Sequence, residues 1–257
     1  MIHPTAFVNP EAQIDSSVDI GPYCVVGPHV KIGKNTRLMS HVVIDGWTEI
    51  GEDNIFYPFG VIGAAPQDLK YKGEATKLVI GNKNTIRESV TLNLGTEQGG
   101  GVTRVGNGCL LMAYTHLGHD CLIGDHAIIA NSGQLAGHVT VEEYAIIGGT
   151  CAISQFVRVG AHTYIGGFSG LDRDVPPYTI AMGTRPTNVK GANIVGLRRR
   201  GYPAETIQKI NDSIKLWMRP DVQKEQCLLE IESQYGELQE IKNFISFIRK
   251  SETGVSR

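Results

Sequence analysis

Val105-Gly-Asn-Gly-Cys-Leu-Leu111-Met-Ala-Tyr-Thr-His-Leu117-Gly-His-Asp-Cys-Leu-Ile123-Gly-Asp-His-Ala-Ile-Ile129 decides the fold of this chain. An aliphatic residue returns at every sixth position, and the rhythm runs on unbroken through Leu135, Val141, Ile147, Ile153, Val159 and Ile165 to Leu171. The following residue is usually small, as at Gly106, Gly118, Ala136 and Gly160. A helix face needs spacings of three and four, and a half-buried strand needs two. A period of six predicts a solenoid in which each unit is one short strand plus a bend. Three units close one triangular turn, so residues eighteen apart stack at about 4.8 Å.

Upstream, the same spacing joins Ile2, Val8, Ile14, Ile20, Val26, Ile32, Leu38, Ile44, Ile50, Phe56 and Ile62. Each such side chain contributes about 1.5–3 kcal/mol when buried. Glycine and asparagine at the bends (Asn35, Asn54, Asn82, Asn84) are expected to relieve positive φ. Two loops interrupt the coil, at 64–78 and 95–104. Ile62 to Ile80 spans one whole turn, so the first loop replaces or bulges from a turn without changing phase. The second contains Gly99-Gly100-Gly101 and shifts the phase by one residue.

Pro176-Pro177 ends the rhythm, because proline cannot continue a ladder. A connector follows. Helical spacing then appears at Ile207, Ile210, Ile214 and Trp217, with Pro203 at the start. It recurs at Leu228, Ile231 and Tyr235, and at Leu238, Ile241, Ile245 and Ile248. The expected organisation is an all-β solenoid over residues 1–185, a C-terminal α-helical domain over 186–257, and a frayed tail from Glu252.

Of 257 residues, 41% are apolar and 19% charged, and the net charge is −2, so nucleic acid is not expected as the main partner. Aromatics are only 7% and glycines number 31, which suits a narrow aliphatic core. The five cysteines are scattered without a C-x-x-C pair, which favours a reducing, cytoplasmic setting. No signal peptide and no membrane span is visible. A three-sided prism with flat outer faces favours association in threes.

Histidines cluster at His116, His119, His126 and His138. By the count of eighteen, Gly137 lies over His119, His138 over Asp120, and Gln155 one turn further along. A histidine beside an aspartate, under a backbone N–H, suits a general base with an orienting carboxylate and an oxyanion donor. Two plainer readings stand beside it. An outward histidine on a bend is usually just solvated, and His116, His119 and His138 could ligate zinc. Asp68 and Lys70 in the first loop could grip a polar substrate. Arg198-Arg199-Arg200 could meet a phosphate or an acidic protein.

Beyond the hexad rhythm, the chain carries Pro66-Gln-Asp-Leu-Lys-Tyr71, Ile86-Arg-Glu-Ser-Val-Thr91, Gln98-Gly-Gly-Gly101, His116-Leu-Gly-His-Asp-Cys121, Leu135-Ala-Gly-His138, Asp174-Val-Pro-Pro-Tyr178 and Gly196-Leu-Arg-Arg-Arg-Gly201. Across essentially its whole length it resembles the UDP-N-acetylglucosamine O-acyltransferases. That resemblance implies a left-handed parallel β-helix and a homotrimer with active sites between subunits. It implies transfer of a 3-hydroxyacyl group from acyl carrier protein to the 3-hydroxyl of UDP-N-acetylglucosamine, the first step of lipid A synthesis, with no cofactor and no metal. By position, His119 would be the base, Asp120 its orienting partner, and Gly137 N–H the oxyanion donor. Asp68, Lys70, His116 and Gln155 would bind the sugar nucleotide, and His138 would lie near the acyl donor. Asn193, Arg199 and Arg200 would meet the nucleotide. Gly167 and Gly170 would leave the acyl groove open for a longer chain.

Asn93 and Ser154 stand where a familiar member has histidine, and Val195 where it has glutamate. The spacing from Gly183 to Asn193 is one residue longer. These departures leave a 3-amino sugar acceptor open. A zinc hydratase like the γ-class carbonic anhydrases and a non-catalytic scaffold are the readings from other classes.

Overall fold

The computed structural model describes residues 1–257 as a left-handed parallel β-helix closed at one end by helices. Its strands, mostly two residues long, stack into sheets of nine, eight and ten strands, the three faces of a prism. The first face begins at Phe7–Val8, the second at Gln13–Ile14 and the third at Asp19–Ile20. Register follows the hexad count: Leu117 pairs with Leu135, Leu135 with Ile153, and Ile153 with Leu171. These aliphatics form one continuous buried column along the axis.

The glycines after the aliphatics serve close stacking. A Cβ on Gly21 would lie 2.3 Å from the Met39 carbonyl oxygen, and one on Gly124 would lie 2.6 Å from the Glu143 nitrogen. Positive φ falls two residues later in each bend and is carried by residues such as Asp120, His138 and Phe156. Of the four bend asparagines, only Asn35 has positive φ. Asn54 and Asn84 instead run a ladder inside one bend, with Asn84 N–H donating to Asn54 Oδ1 and Cys109 N–H to Asn84 Oδ1. A left-handed non-glycine residue costs about 1–2 kcal/mol. Stacking along the bends offsets it, as where His138 lies on Phe156 with ring centroids 4.5 Å apart.

Both loops leave the bend between the first and second faces. Ile62 stacks on Leu92, and Ile80 stacks on Ile50. The first loop is therefore not a substitute for one turn. It inserts two hexads between consecutive strands, which is why the phase survives. The second loop does shift phase, pairing Leu92 with Leu117, but it ends sooner than its sequence suggests, because the strand resumes at Val102.

The coil ends in a hairpin. Thr179–Met182 pairs antiparallel with Asn188–Ala192, a strand within the stretch read as connector. Four helices follow: α1 (Ile194–Arg199), α2 (Ala204–Trp217), α3 (Lys224–Tyr235) and α4 (Gln239–Arg249). The last three are the helices read from apolar spacing, and they share a second core around Trp217, Ile231 and Phe244. The tail is ordered rather than frayed. Ser256 N–H donates to Asp174 O at 2.9 Å, Trp217 Nε1–H donates to Ser256 O at 3.2 Å, and the Arg257 guanidinium covers the Trp217 ring at 4.5 Å. Its backbone finds partners in the seam between coil and helices, which outweigh the freedom of a chain end.

The outer faces differ in character. Phe7, Val25, Val43 and Val61 line the first, and Ile55, Leu110, Ile128, Ile146 and Tyr164 line the third. The second carries Lys31, Glu49, Lys77, Arg104 and Arg158, with Glu49 paired to both Lys31 and Lys77.

Candidate active site

His119 and Asp120 occupy the bend between the first and second faces, just after the strand His116–Leu117. Asp120 is almost wholly enclosed: only 1% of its side chain is exposed. Its Oδ2 accepts from His119 Nδ1 at 2.8 Å and from the Thr96 hydroxyl at 2.6 Å. Its Oδ1 accepts from Thr96 N–H at 2.9 Å, and its own N–H donates to Thr103 Oγ1 at 2.7 Å. A buried carboxylate holding these donors fixes the imidazole with its proton on Nδ1 and leaves Nε2 as the free base. Thr96 belongs to the second loop and Thr103 to the strand Val102–Val105 into which it leads, so the loop and its exit serve as the scaffold for the histidine–aspartate pair. Sequence reading missed both. The available signal was that the loop causing the phase slip leaves from the same bend as His119.

One turn on, Gly137 lies against the His119 ring. An added Cβ there would sit 2.6 Å from Nε2 and 2.5 Å from Cε1. The stack is held by His138 N–H donating to His119 O at 2.9 Å, and Phe156 N–H donating to Gly137 O at 3.3 Å places Gln155 above Gly137. The Gly137 N–H makes no hydrogen bond within the chain.

His138 meets His119 edge-on, with centroids 5.0 Å apart. Burial pushes its pKa below the usual imidazole value, and the charge of Asp120 opposes that shift. The Asp68 carboxylate also opposes it, which puts the first loop within electrostatic reach of the bend. Asp68 Oδ1 accepts from Lys70 N–H at 2.9 Å, folding that loop into a tight turn. His116 is lowered by burial and its Nδ1 meets Thr91 Oγ1 at 2.7 Å. The grouping with metal-ligand character is therefore His119, Asp120 and His138, whose ligand atoms lie within 4.8 Å of one another, rather than the three histidines. There the carboxylate oxygen that would face a cation already carries the His119 and Thr96 hydrogen bonds.

A groove of about 620 Å³ runs up the first face from His116, past Gln134, Ala152 and Ser154, to Gly170 and Arg185. Gly170 forms part of its floor. Gly167 lies exposed at the neighbouring bend, where an added Cβ would sit 3.2 Å from Gly149 O.

Asn193, Arg199 and Arg200 are not brought to His119. Asn193 caps α1, accepting from Gly196 N–H at 3.1 Å and donating to His162 O at 2.8 Å. Arg200 covers the Tyr144 ring at 4.3 Å, on the bend between the second and third faces. Within one copy these residues stand at a different corner of the prism.

A parallel coil of hexapeptide units, with a histidine–aspartate pair and a free glycine N–H together in one bend, is the architecture of a hexapeptide-repeat acyltransferase. Residues 103–133 match the bacterial transferase hexapeptide family, and residues 174–256 match the family described as UDP N-acetylglucosamine O-acyltransferase, domain 2. The acyl-[acyl-carrier-protein]–UDP-N-acetylglucosamine O-acyltransferase of Thermodesulfovibrio yellowstonii is 47% identical over 256 residues, covering 100% of this chain and 99% of that protein. LpxA from Acinetobacter baumannii superposes with a TM-score of 0.96 at 43% identity, covering 100% and 99% of the two chains. The UDP-N-acetylglucosamine acyltransferase of Francisella novicida gives 0.97 at 38% identity, covering 100% and 94%. The chain belongs to the UDP-N-acetylglucosamine O-acyltransferase family.

Proposed function

We propose that this chain transfers a 3-hydroxyacyl group from acyl carrier protein to the 3-hydroxyl of UDP-N-acetylglucosamine, the first step of lipid A biosynthesis. The observation that carries the mechanism is the His119–Asp120 contact at 2.8 Å with Gly137 against Nε2. His119 Nε2 takes the proton of the sugar hydroxyl as its oxygen attacks the thioester carbon. Asp120 stabilises the imidazolium that forms. The Gly137 N–H holds the oxyanion of the tetrahedral intermediate. Collapse breaks the C–S bond, and the imidazolium returns its proton to the departing thiolate. Asp68, Lys70, His116 and Gln155 place the sugar nucleotide at this bend, and His138 stands on the donor side.

The site is completed by association. Apolar stretches on the first face (Phe7 to Val61) and on the third (Ile55 and Leu110 to Tyr164), beside a more charged second face, favour a homotrimer in which the third face of one copy covers the first face of the next. That packing sets the bend bearing Asn193, Arg199 and Arg200 opposite His119 of a neighbour, where the two arginines reach the diphosphate. Asn193 acts by holding the start of α1. The coil of residues 1–185 supplies the catalytic bend and the helical unit of 186–257 the basic one. The acyl chain lies in the first-face groove, left open by Gly170 and, at its edge, Gly167, and so accepts a longer chain. The five cysteines are all unpaired and buried, in keeping with a cytoplasmic enzyme, and no helix is long and apolar enough to cross a membrane.

His119→Ala tests the reading directly. A positioned base contributes about 10²–10⁴-fold, so turnover should fall by that much. Activity within a few-fold of wild type rejects the assignment. Supplying a 3-amino sugar nucleotide beside the hydroxyl acceptor, and weighing the products, decides between ester and amide.

A further inference from the structure

The catalytic bend faces water. The Gly137 N–H has no partner within the chain, and the His138 side chain is partly exposed. A thioester placed there meets two nucleophiles, the sugar hydroxyl and water, and a base that serves one serves the other. Attack by water forms a C–O bond and breaks the C–S bond. His119 takes the water proton and returns it to the departing thiolate, leaving a free 3-hydroxy acid and the thiol. The site therefore needs a cover that keeps water out while the two substrates react.

The first loop carries an apolar side chain with no partner of its own. Leu69 is fully exposed, more so than any other large apolar residue of the chain. It does not sit on a slack segment. Pro66 is buried at the root of the loop, Leu94 N–H donates to Ala64 O at 2.9 Å, and Asn93 Nδ2 donates to Ala65 O at 3.2 Å. Tyr71 N–H donates to Asp68 O at 3.1 Å and closes a turn with Leu69 and Lys70 at its tip. The Tyr71 hydroxyl donates to Glu74 O at 2.9 Å and braces the return strand of the loop. Ile62, Leu92, Leu117 and Leu135 stack in successive turns, so His138 stands three layers above the root, about 14 Å. The charge of Asp68 is nevertheless felt at His138. The loop therefore climbs this corner past the layer of His119, and it holds Leu69 between the two residues assigned to the sugar nucleotide, Asp68 and Lys70.

We propose that Leu69 selects the sugar hydroxyl over water: with the sugar nucleotide held by Asp68 and Lys70, its side chain closes over the reacting hydroxyl and thioester. This role rests on the acyl-transfer reading above and adds what protects the donor. The assay weighs two products formed from 3-hydroxyacyl carrier protein at saturating UDP-N-acetylglucosamine, the acylated sugar and the free 3-hydroxy acid. Leu69→Ser keeps a residue suited to the turn but removes the apolar cover. It should raise the free acid formed per acylated sugar about tenfold, the lower end of what one buried leucine side chain contributes. Leu69→Met restores an apolar cover and should keep the wild-type ratio. Adding His119→Ala to Leu69→Ser should abolish the extra free acid, because the same base activates the water. An unchanged ratio in Leu69→Ser overturns the role, whether or not turnover falls. So does extra acid that persists without His119. A loss of oligomeric mass in Leu69→Ser with the ratio unchanged puts the leucine in a subunit contact instead. Wild-type protein that forms no acylated sugar contradicts the acyl-transfer reading itself, before any variant is compared.

Discussion

Replacing Gly137 by alanine should disable the enzyme without unfolding it. The backbone at Gly137 lies outside the positive-φ region, so a methyl group brings no conformational strain of its own. What it meets is the His119 ring: Cε1 at 2.5 Å, Nε2 at 2.6 Å and Nδ1 at 3.0 Å. Ordinary contact begins near 3.4 Å, so the ring must retreat by almost 1 Å. It cannot swing freely, because Nδ1 is tied to Asp120 at 2.8 Å and that carboxylate is in turn tied to Thr96. The base therefore moves relative to the N–H it works with. A misplacement of about 1 Å costs on the order of 10²-fold in rate. Turnover should fall by at least that, with the far-ultraviolet dichroism and the oligomeric mass unchanged. Gly149 occupies the equivalent place in a neighbouring bend, where the nearest atom to an added Cβ is Asn131 O at 3.4 Å. Gly149→Ala should keep full activity. Equal activity of Gly137→Ala and Gly149→Ala would refute the reasoning.

Thr96→Val removes one of the two hydrogen bonds that Thr96 gives Asp120, and should lower kcat severalfold with little change in KM for either substrate. Stability should fall in mild acid. Burial lowers His116, His138 and His162 below the ordinary value of 6.5, so below about pH 6.5 the unfolded chain takes up protons that the folded one refuses. Thermal midpoints should therefore drop as pH falls through that value, and His162→Gln should flatten the slope. Mixed oligomers of His119→Ala and Arg200→Ala copies should recover activity that neither variant has alone, because some clefts receive both intact residues. No recovery would place each site within one copy.

The coil was legible because a six-residue period has few physical solutions, and a fixed turn of eighteen residues turns sequence distance into contact. That arithmetic put Gly137 over His119 and His138 beside Asp120 without coordinates. It failed where chain leaves the repeat. Ile62 and Ile80 are eighteen apart yet do not stack, because an insertion of two hexads keeps the phase and hides itself. Thr96 touches Asp120 through a loop whose path no period describes. Asparagine was expected to carry positive φ, but ladder bonding gives Asn54 and Asn84 a better use, and stacked side chains tolerate the strain. The tail looked free because its docking partners, Asp174 and Trp217, lie 82 and 39 residues before Ser256.

The most direct measurement is a crystal structure of the trimeric protein with UDP-N-acetylglucosamine bound. The account predicts the sugar 3-hydroxyl oxygen at about 2.6–3.2 Å from His119 Nε2, with Arg199 and Arg200 of the adjacent copy on the diphosphate. A sugar whose 3-hydroxyl points away from Nε2, or one lying wholly outside that bend, would contradict it.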